Sequence, residues 1–112
     1  MSRRSPRRSS PTRGEVWWLE DESIGRRPVL VLTRDSVIPV LAGLVVAPVT
    51  TTVRDIDSEI VLDVDDGLPR RCAATFDNLR TVPRSMLTER VASLSEARRS
   101  EICTALGWAL DC

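Results

Sequence analysis

Two short runs of branched aliphatic residues dominate the hydrophobic pattern of this chain. Arg27-Pro28-Val29-Leu30-Val31-Leu32-Thr33 feeds an arginine and a proline into four consecutive apolar residues, and Leu44-Val45-Val46-Ala47-Pro48-Val49 leads straight into Thr50-Thr51-Thr52. Runs this short and this rich in β-branched residues predict buried strands rather than helices, with Pro28 tolerated at the first strand position. Arg13 to Glu20 predicts an earlier strand in which Val16, Trp18 and Glu20 alternate against Trp17 and Leu19, so that one indole enters the core and the other lies on the opposite face. Val37-Ile38-Pro39-Val40 is an extended piece that its proline confines to an edge or a loop. Glu59 to Val64 predicts another strand, stopped by the Asp66-Gly67 turn signal, and Cys72 to Val82 begins as a strand and then turns polar. A short helical turn over 83–89 and a brief last strand over 90–94 follow. Ser95 then caps a helix from Glu96 to about Leu110, whose stripe of Ile102, Ala105, Leu106 and Ala109 docks on the sheet or a partner subunit, with Trp108 beside it. Strands dominate and helices gather late, which indicates a compact, β-rich α+β domain rather than a βαβ layout.

Composition limits this picture to one small core, with 112 residues of which 42% are hydrophobic. Residues 1–12 are Arg, Ser and Pro with almost nothing to bury, so the expected organisation is a disordered basic arm over 1–12 and a single domain over 13–112. The formal charge is zero, yet Arg3, Arg4, Arg7, Arg8 and Arg13 stand in a leader without acids, so the body is acidic. Such an arm is either a salt-sensitive attractor of phosphate backbones or a simple terminal extension. All 16 positive charges are arginine, and histidine and tyrosine are absent, so proton transfer must fall to a carboxylate, a thiol, a hydroxyl, an arginine or water. The cysteines Cys72, Cys103 and Cys112 form no metal-binding pattern and read as two small buried hydrophobes and a terminal thiol, which fits a reducing cytosol. The loop acids lack the spacing of a calcium loop. No apolar run approaches the roughly 20 residues that span a membrane, and the N-terminus lacks the apolar stretch of a secretory signal.

Candidate chemistry gathers at strand ends. Arg27 keeps its charge at any ordinary pH and so must reach water at the sheet's rim or meet an anion. Thr50, Thr51 and Thr52 present hydroxyls together that could orient a phosphate or a 2′-hydroxyl. Asp77, Asn78 and Arg80 place a proton acceptor, an amide that can read base edges and a guanidinium within four residues. An indole left outside the sheet could stack on a base. These residues leave three readings open: a nuclease, a toxin that acts by binding, and a non-catalytic nucleic-acid module.

Four pieces together resemble the MazF/PemK family of toxin endoribonucleases: Arg13-Gly14-Glu15-Val16-Trp17, Arg27-Pro28-Val29-Leu30-Val31-Leu32, Val46-Ala47-Pro48-Val49-Thr50 and Asp77-Asn78-Leu79-Arg80-Thr81-Val82, with a capped C-terminal helix after them. The resemblance covers residue 13 to the end. It implies an SH3-like, barrel-forming sheet with short helices, usually a homodimer in the cytoplasm. It further implies cleavage of single-stranded RNA at short sequences without metal or other cofactor, and a small cognate antitoxin whose acidic tail covers the RNA groove. The family's catalytic arginine falls on Arg27, its catalytic threonine on Thr50, and an aspartate taken as base in the Kid branch on Asp77; from the residues themselves, Arg34, Thr51, Asn78, Arg80 and Trp17 are the candidates for RNA contact. Two departures stand out. The first loop, Asp21 to Arg26, lacks the family's longer gating stretch, and the Kid-type arginine two residues before the aspartate is replaced by Thr75. The rival with the same fold is a CcdB-type toxin that binds gyrase through a C-terminal helix bearing a tryptophan, for which Trp108 is the corresponding residue.

Overall fold

The computed structural model describes residues 10–23 and 25–110. The basic arm expected over 1–12 therefore lies almost wholly outside the described residues, as do Cys112 and the side chain of Trp108.

Seven strands and one long helix make up the domain: β1 (Glu15–Asp21), β2 (Gly25–Val31), β3 (Gly43–Thr50), β4 (Glu59–Leu62), β5 (Cys72–Thr75), β6 (Arg80–Pro83), β7 (Leu87–Ser93) and α1 (Glu96–Leu110). All pairings are antiparallel, in the order β4-β5-β3-β2-β1-β7, with β6 also on β3. β3 holds β2 along one edge, while its other edge is shared: Val49 and Thr50 pair with β5, and Gly43 to Val46 pair with β6. The curled sheet that results is a half-barrel of the α+β class.

Curling explains why β2 is an unbroken apolar run. Leu30 and Leu32 face one core with Val16, Ala47, Leu62, Phe76 and Ile102, while Val29 and Val31 face a second with Trp17, Leu19, Leu44, Val46 and Val82. Helix α1 lays Ile102 and Ala105, both buried, on the first core, with Leu106 and Ala109 packed at its edge. Its start is capped as expected, the Ser95 hydroxyl accepting from Arg98 N at 3.3 Å. Arg98 then ties the helix down by donating to Asp66 at 3.1 Å and to the carbonyl of Val61.

Three local expectations change. Val37 to Val40 is not extended: Ile38–Val40 forms a 3-10 turn, because Pro39 sits in its first turn, where no amide is needed, and Ile38 plugs the second core. The helical turn expected over 83–89 is confined to Arg84–Met86, and the last strand begins earlier, at Leu87, which fills the same core. Cys103 is exposed rather than buried, with Arg13 Nη2 3.5 Å from its sulfur; Cys72 is buried. Gly67 closes the 3-10 turn after β4 at φ 95, and a Cβ there would lie 3.0 Å from that of Ala92, so the turn requires glycine.

Trp17 is the indole that enters the core, only 4% exposed, and its Nε1 donates to Glu15 at 2.9 Å. Trp18, on the opposite face, carries the guanidinium of Arg26 4.3 Å above its ring. Glu15 is itself buried and also accepts from Thr12 N at 2.9 Å and Arg90 at 3.1 Å. Burial raises the pKa of Glu15, but the hydrogen bonds from Trp17, Thr12 and Arg90 together outweigh it and hold the carboxyl below its ordinary 4.5. A depressed carboxyl contributes stability that is complete above the unfolded value and is lost as pH falls through the folded one. Glu15→Gln is therefore expected to cost about 1–3 kcal/mol near pH 7, a charged hydrogen-bond network lost, and the gap to wild type in urea midpoints should close as pH is lowered below 4.5.

Candidate active site

β2 and β3 bring the chemistry together. Their register pairs Val29 with Pro48 and Val31 with Val46, and the same register continued two residues past the end of the ladder would set Arg27 level with Thr50, which lines the same cleft. Because side chains alternate, Arg27, Val29 and Val31 share a face with Val46, Pro48 and Thr50. Arg80 pairs with Val46 from β6 and joins the same face. All of these but Val31 line one cleft of about 340 Å³, floored by Leu19, Val29, Val46 and Pro48 and rimmed by Arg27, Thr50, Thr51 and Arg80.

The rim is built to receive an anion. Arg27 and Arg80 are exposed, and neither makes an ion pair or side-chain hydrogen bond with any described residue. Thr50 Oγ1 accepts from the amide of Thr52 at 3.1 Å, which occupies a lone pair and leaves the hydroxyl hydrogen free to donate outward. Two unpaired guanidiniums and an oriented hydroxyl over an apolar floor can hold a phosphate and stabilise charge that develops on it. A second, almost wholly apolar cavity of about 200 Å³ adjoins the cleft, sharing Pro28, Val49, Thr50 and Thr51 and extending to Trp18, Leu68 and Arg70.

The remaining candidates fall elsewhere. Asp77 and Asn78 occupy the 3-10 turn Phe76–Asn78 that interrupts the edge between β5 and β6, both exposed and neither lining the cleft. Asp77 accepts from Ser58 Oγ at 2.5 Å. Arg34 lies past the opposite end of β2, in the turn closed by Val37 N on its carbonyl at 3.2 Å. Trp17 is enclosed and offers no ring face to solvent; the indole near the cleft is that of Trp18. Arg54, which nothing in its local sequence singles out, proves to be anchored on the strands beside Thr50: Glu59 is only five residues away, but Thr75 is 21 residues away and meets it only through the pairing of β4 with β5.

The described residues contain no helix long and apolar enough to cross a membrane. Residues 12–110 match the family model described as a PemK-like, MazF-like toxin of type II toxin-antitoxin system. Among curated proteins, the probable endoribonuclease MazF5 of Mycobacterium tuberculosis is 50% identical over 103 residues, covering 91% of this chain and 94% of the relative. Among solved structures, the Mycobacterium tuberculosis toxin MazF-mt6 superposes with a TM-score of 0.79 at 33% identity, covering 87% of this chain and 96% of the other. An endoribonuclease in complex with its cognate antitoxin, from a mycobacterial species, gives a TM-score of 0.81 at 27% identity over 91% of this chain and 96% of the other.

An arginine without partners contributes nothing to the fold that its loss could remove. Arg27→Ala and Arg80→Ala are each expected to shift stability by less than about 0.5 kcal/mol, whereas Arg98→Ala, which strands Asp66 and the Val61 carbonyl, should cost more than about 1 kcal/mol. Chemical denaturation of the three variants decides the point.

Proposed function

Since the chain belongs to the PemK-like, MazF-like toxins of type II toxin-antitoxin systems, we propose that its endoribonuclease activity is carried by the cleft between Arg27, Thr50 and Arg80. The observation that supports this most is that two arginines without a partner among the described residues, Arg27 and Arg80, line one cleft in a chain of zero formal charge. Cleavage of RNA by its own 2′-hydroxyl requires that hydroxyl to lose a proton, the phosphorane charge to be stabilised, and the 5′-oxygen to gain a proton as it leaves.

Arg27 binds the non-bridging oxygens of the scissile phosphate and strengthens its hold as they gain charge. Thr50 donates its free hydroxyl to the same phosphate and fixes it for in-line attack. Arg80 and Thr51 hold the strand at the rim. A guanidinium stays protonated and is a poor base, so Arg27 acts electrostatically. Asp77, hydrogen-bonded to Ser58 and outside the cleft lining, is assigned to positioning the strand at the cleft's edge together with Asn78; as no carboxylate of the described residues lines the cleft, solvent water takes the 2′-hydroxyl proton and supplies the one that the departing 5′-oxygen gains. The internal nucleophile dictates a 2′,3′-cyclic phosphate and a 5′-hydroxyl as products, formed without a metal ion.

The same two free arginines make the cleft complementary to an acidic peptide, which supports neutralisation by a small antitoxin whose acidic tail lies where RNA would bind. A homodimer in the cytoplasm, carrying two such clefts, completes the reading.

Incubation with a long single-stranded RNA in EDTA should give fragments whose 5′ ends accept phosphate from a kinase without prior phosphatase treatment. Arg27→Ala and Thr50→Val should lower the rate by about 10²–10³-fold, and Asp77→Asn by less than about tenfold, the loss of one hydrogen bond to a charged group. Full activity in Arg27→Ala would refute the assignment, and so would activity restored only by added magnesium.

A further inference from the structure

The face that carries Arg27 and Thr50 continues across two more strands. β5 pairs Ala73 with Thr50 and Ala74 with Val49, so Thr75, two residues beyond Ala73, points to the same side as Thr50. Thr75 in turn pairs with Glu59 of β4. On that face a diagonal therefore runs across the sheet from Arg27 through Thr50 to Thr75, which stands two residues along β5 from the Ala73 opposite Thr50, and on to Glu59, on strands about 4.8 Å apart.

Over the far end of this diagonal lies Arg54. The Glu59 carboxylate is fully buried (0% side-chain exposure) and accepts from Arg54 N at 3.1 Å and from Arg54 Nε at 2.8 Å, with Arg54 Nη2 at 2.7 Å. Nη2 also donates to Thr75 Oγ1 at 3.1 Å. Asp55, the next residue, adopts φ 56, a left-handed conformation uncommon outside glycine, and turns the loop where Arg54 doubles back over β4. The Asp55 carboxylate is drawn aside toward Arg71, 3.7 Å away.

A buried ion pair alone is weak evidence of a stabilising device, since desolvation offsets much of its attraction. Here one partner is sealed and the other is not: 48% of the Arg54 side chain remains exposed, and Nη1 has no partner among the described residues. The guanidinium is thus locked by one edge and open at the other, beside the strand that ends in Thr50. An arginine held this way has already surrendered its rotamer freedom, so binding an anion costs it little further entropy. Thr75 thus takes the guanidinium of a neighbouring loop onto its hydroxyl.

We propose that Arg54 binds a second phosphate of the substrate RNA, further along the strand from the one held by Arg27 and Thr50, with Glu59 and Thr75 as positioning residues. This rests on the assignment of the cleft given above. The RNA then crosses the sheet along the diagonal, Arg27 at one end and Arg54 at the other, as a basic groove follows a single strand.

Two variants test the proposal. Arg54→Ala with Glu59→Gln removes both charges together and leaves no buried carboxylate unpaired, and Arg54→Gln keeps an N–H donor for Glu59 while removing the positive charge. Each is first checked for cooperative melting. Affinity for a mixed-sequence, fully 2′-O-methylated single-stranded RNA 20-mer is measured by fluorescence anisotropy across NaCl concentrations, and cleavage is measured on an unmodified RNA carrying the mapped cut site. Losing one phosphate contact is expected to reduce the slope of log K against log salt by about 0.7. It should also raise KM about tenfold, the loss of one charged hydrogen bond, and leave kcat nearly unchanged. A purely structural Arg54 would leave the salt slope at its wild-type value, and a folded variant showing that slope together with the wild-type KM overturns the proposal. Arg27→Ala, assayed in parallel, separates the two readings: inactive Arg27→Ala beside such an Arg54 variant sinks this inference alone, and active Arg27→Ala sinks the cleft assignment.

Discussion

The pairing of β2 with β3 is the constraint from which the rest of the structure follows. Both strands are covered on two faces, Leu30 and Ala47 toward the core under the helix, Val29, Val31 and Val46 toward the core closed by Ile38, Val82 and Leu87. Strands sealed in this way can offer polar groups only where the ladder ends. Arg27 and Thr50 stand at that end, one on each strand, and the register that packs the cores also sets guanidinium and hydroxyl side by side. The site is thus an outgrowth of the core: a one-residue slip between β2 and β3 would turn Arg27 and Thr50 to opposite faces as surely as it would expose Val29 and Val31.

The second edge of β3 shows how an interruption becomes useful. β5 and β6 could have been one strand, but Phe76 turns inward to the core beneath the helix, only 1% exposed, and the chain bulges through a single 3-10 turn. Asp77 and Asn78 are pushed out by that turn, next to the strand face that carries the cleft. Beyond them, Glu59 and Thr75 hold Arg54 in place. The electrostatics follow from this sorting of arginines. Arg26, Arg54, Arg71, Arg90 and Arg98 are each paired with a carboxylate, whereas Arg27 and Arg80, like Arg34 and Arg70, have no such partner among the described residues. A chain with zero formal charge thereby sets two unpaired guanidiniums in one cleft, and local field rather than net charge governs the approach of a phosphate backbone.

Much of this was legible in the residues alone. Alternation and β-branching located the strands, Ser95 and the spacing of Ile102, Ala105 and Leu106 located the helix, and the position of Arg27 before an apolar run marked it as a charge needing an anion or water. These inferences succeed because they depend on near neighbours: a strand's periodicity, a cap's hydrogen bond and a proline's fixed φ act within a few residues. Where Pro39 met an apolar residue that the core required, local reading failed, since the choice between an extended edge and a 3-10 turn lay with the cavity that Ile38 fills.

The sequence by itself determined the kinds of chemistry open to this protein: no histidine, no lysine, a guanidinium and hydroxyls at strand ends, and proton transfer left to carboxylates, thiols, hydroxyls, arginine or water. Only the tertiary structure decided which of them meet. Trp17 and Trp18 are adjacent and alike, yet a hydrogen bond to buried Glu15 takes one indole into the core and the alternation of the strand leaves the other beside the cleft. Arg34 and Arg80 look equivalent in the chain, but β6 returns to Val46 and brings Arg80 home while Arg34 stays beyond the other end of β2. Arg54 was indistinct until Glu59 and Thr75 were seen beneath it. Contacts between residues far apart in the chain depend on which strands pair and in what register, and that choice is made by the packing of the whole core, which no short stretch of sequence contains.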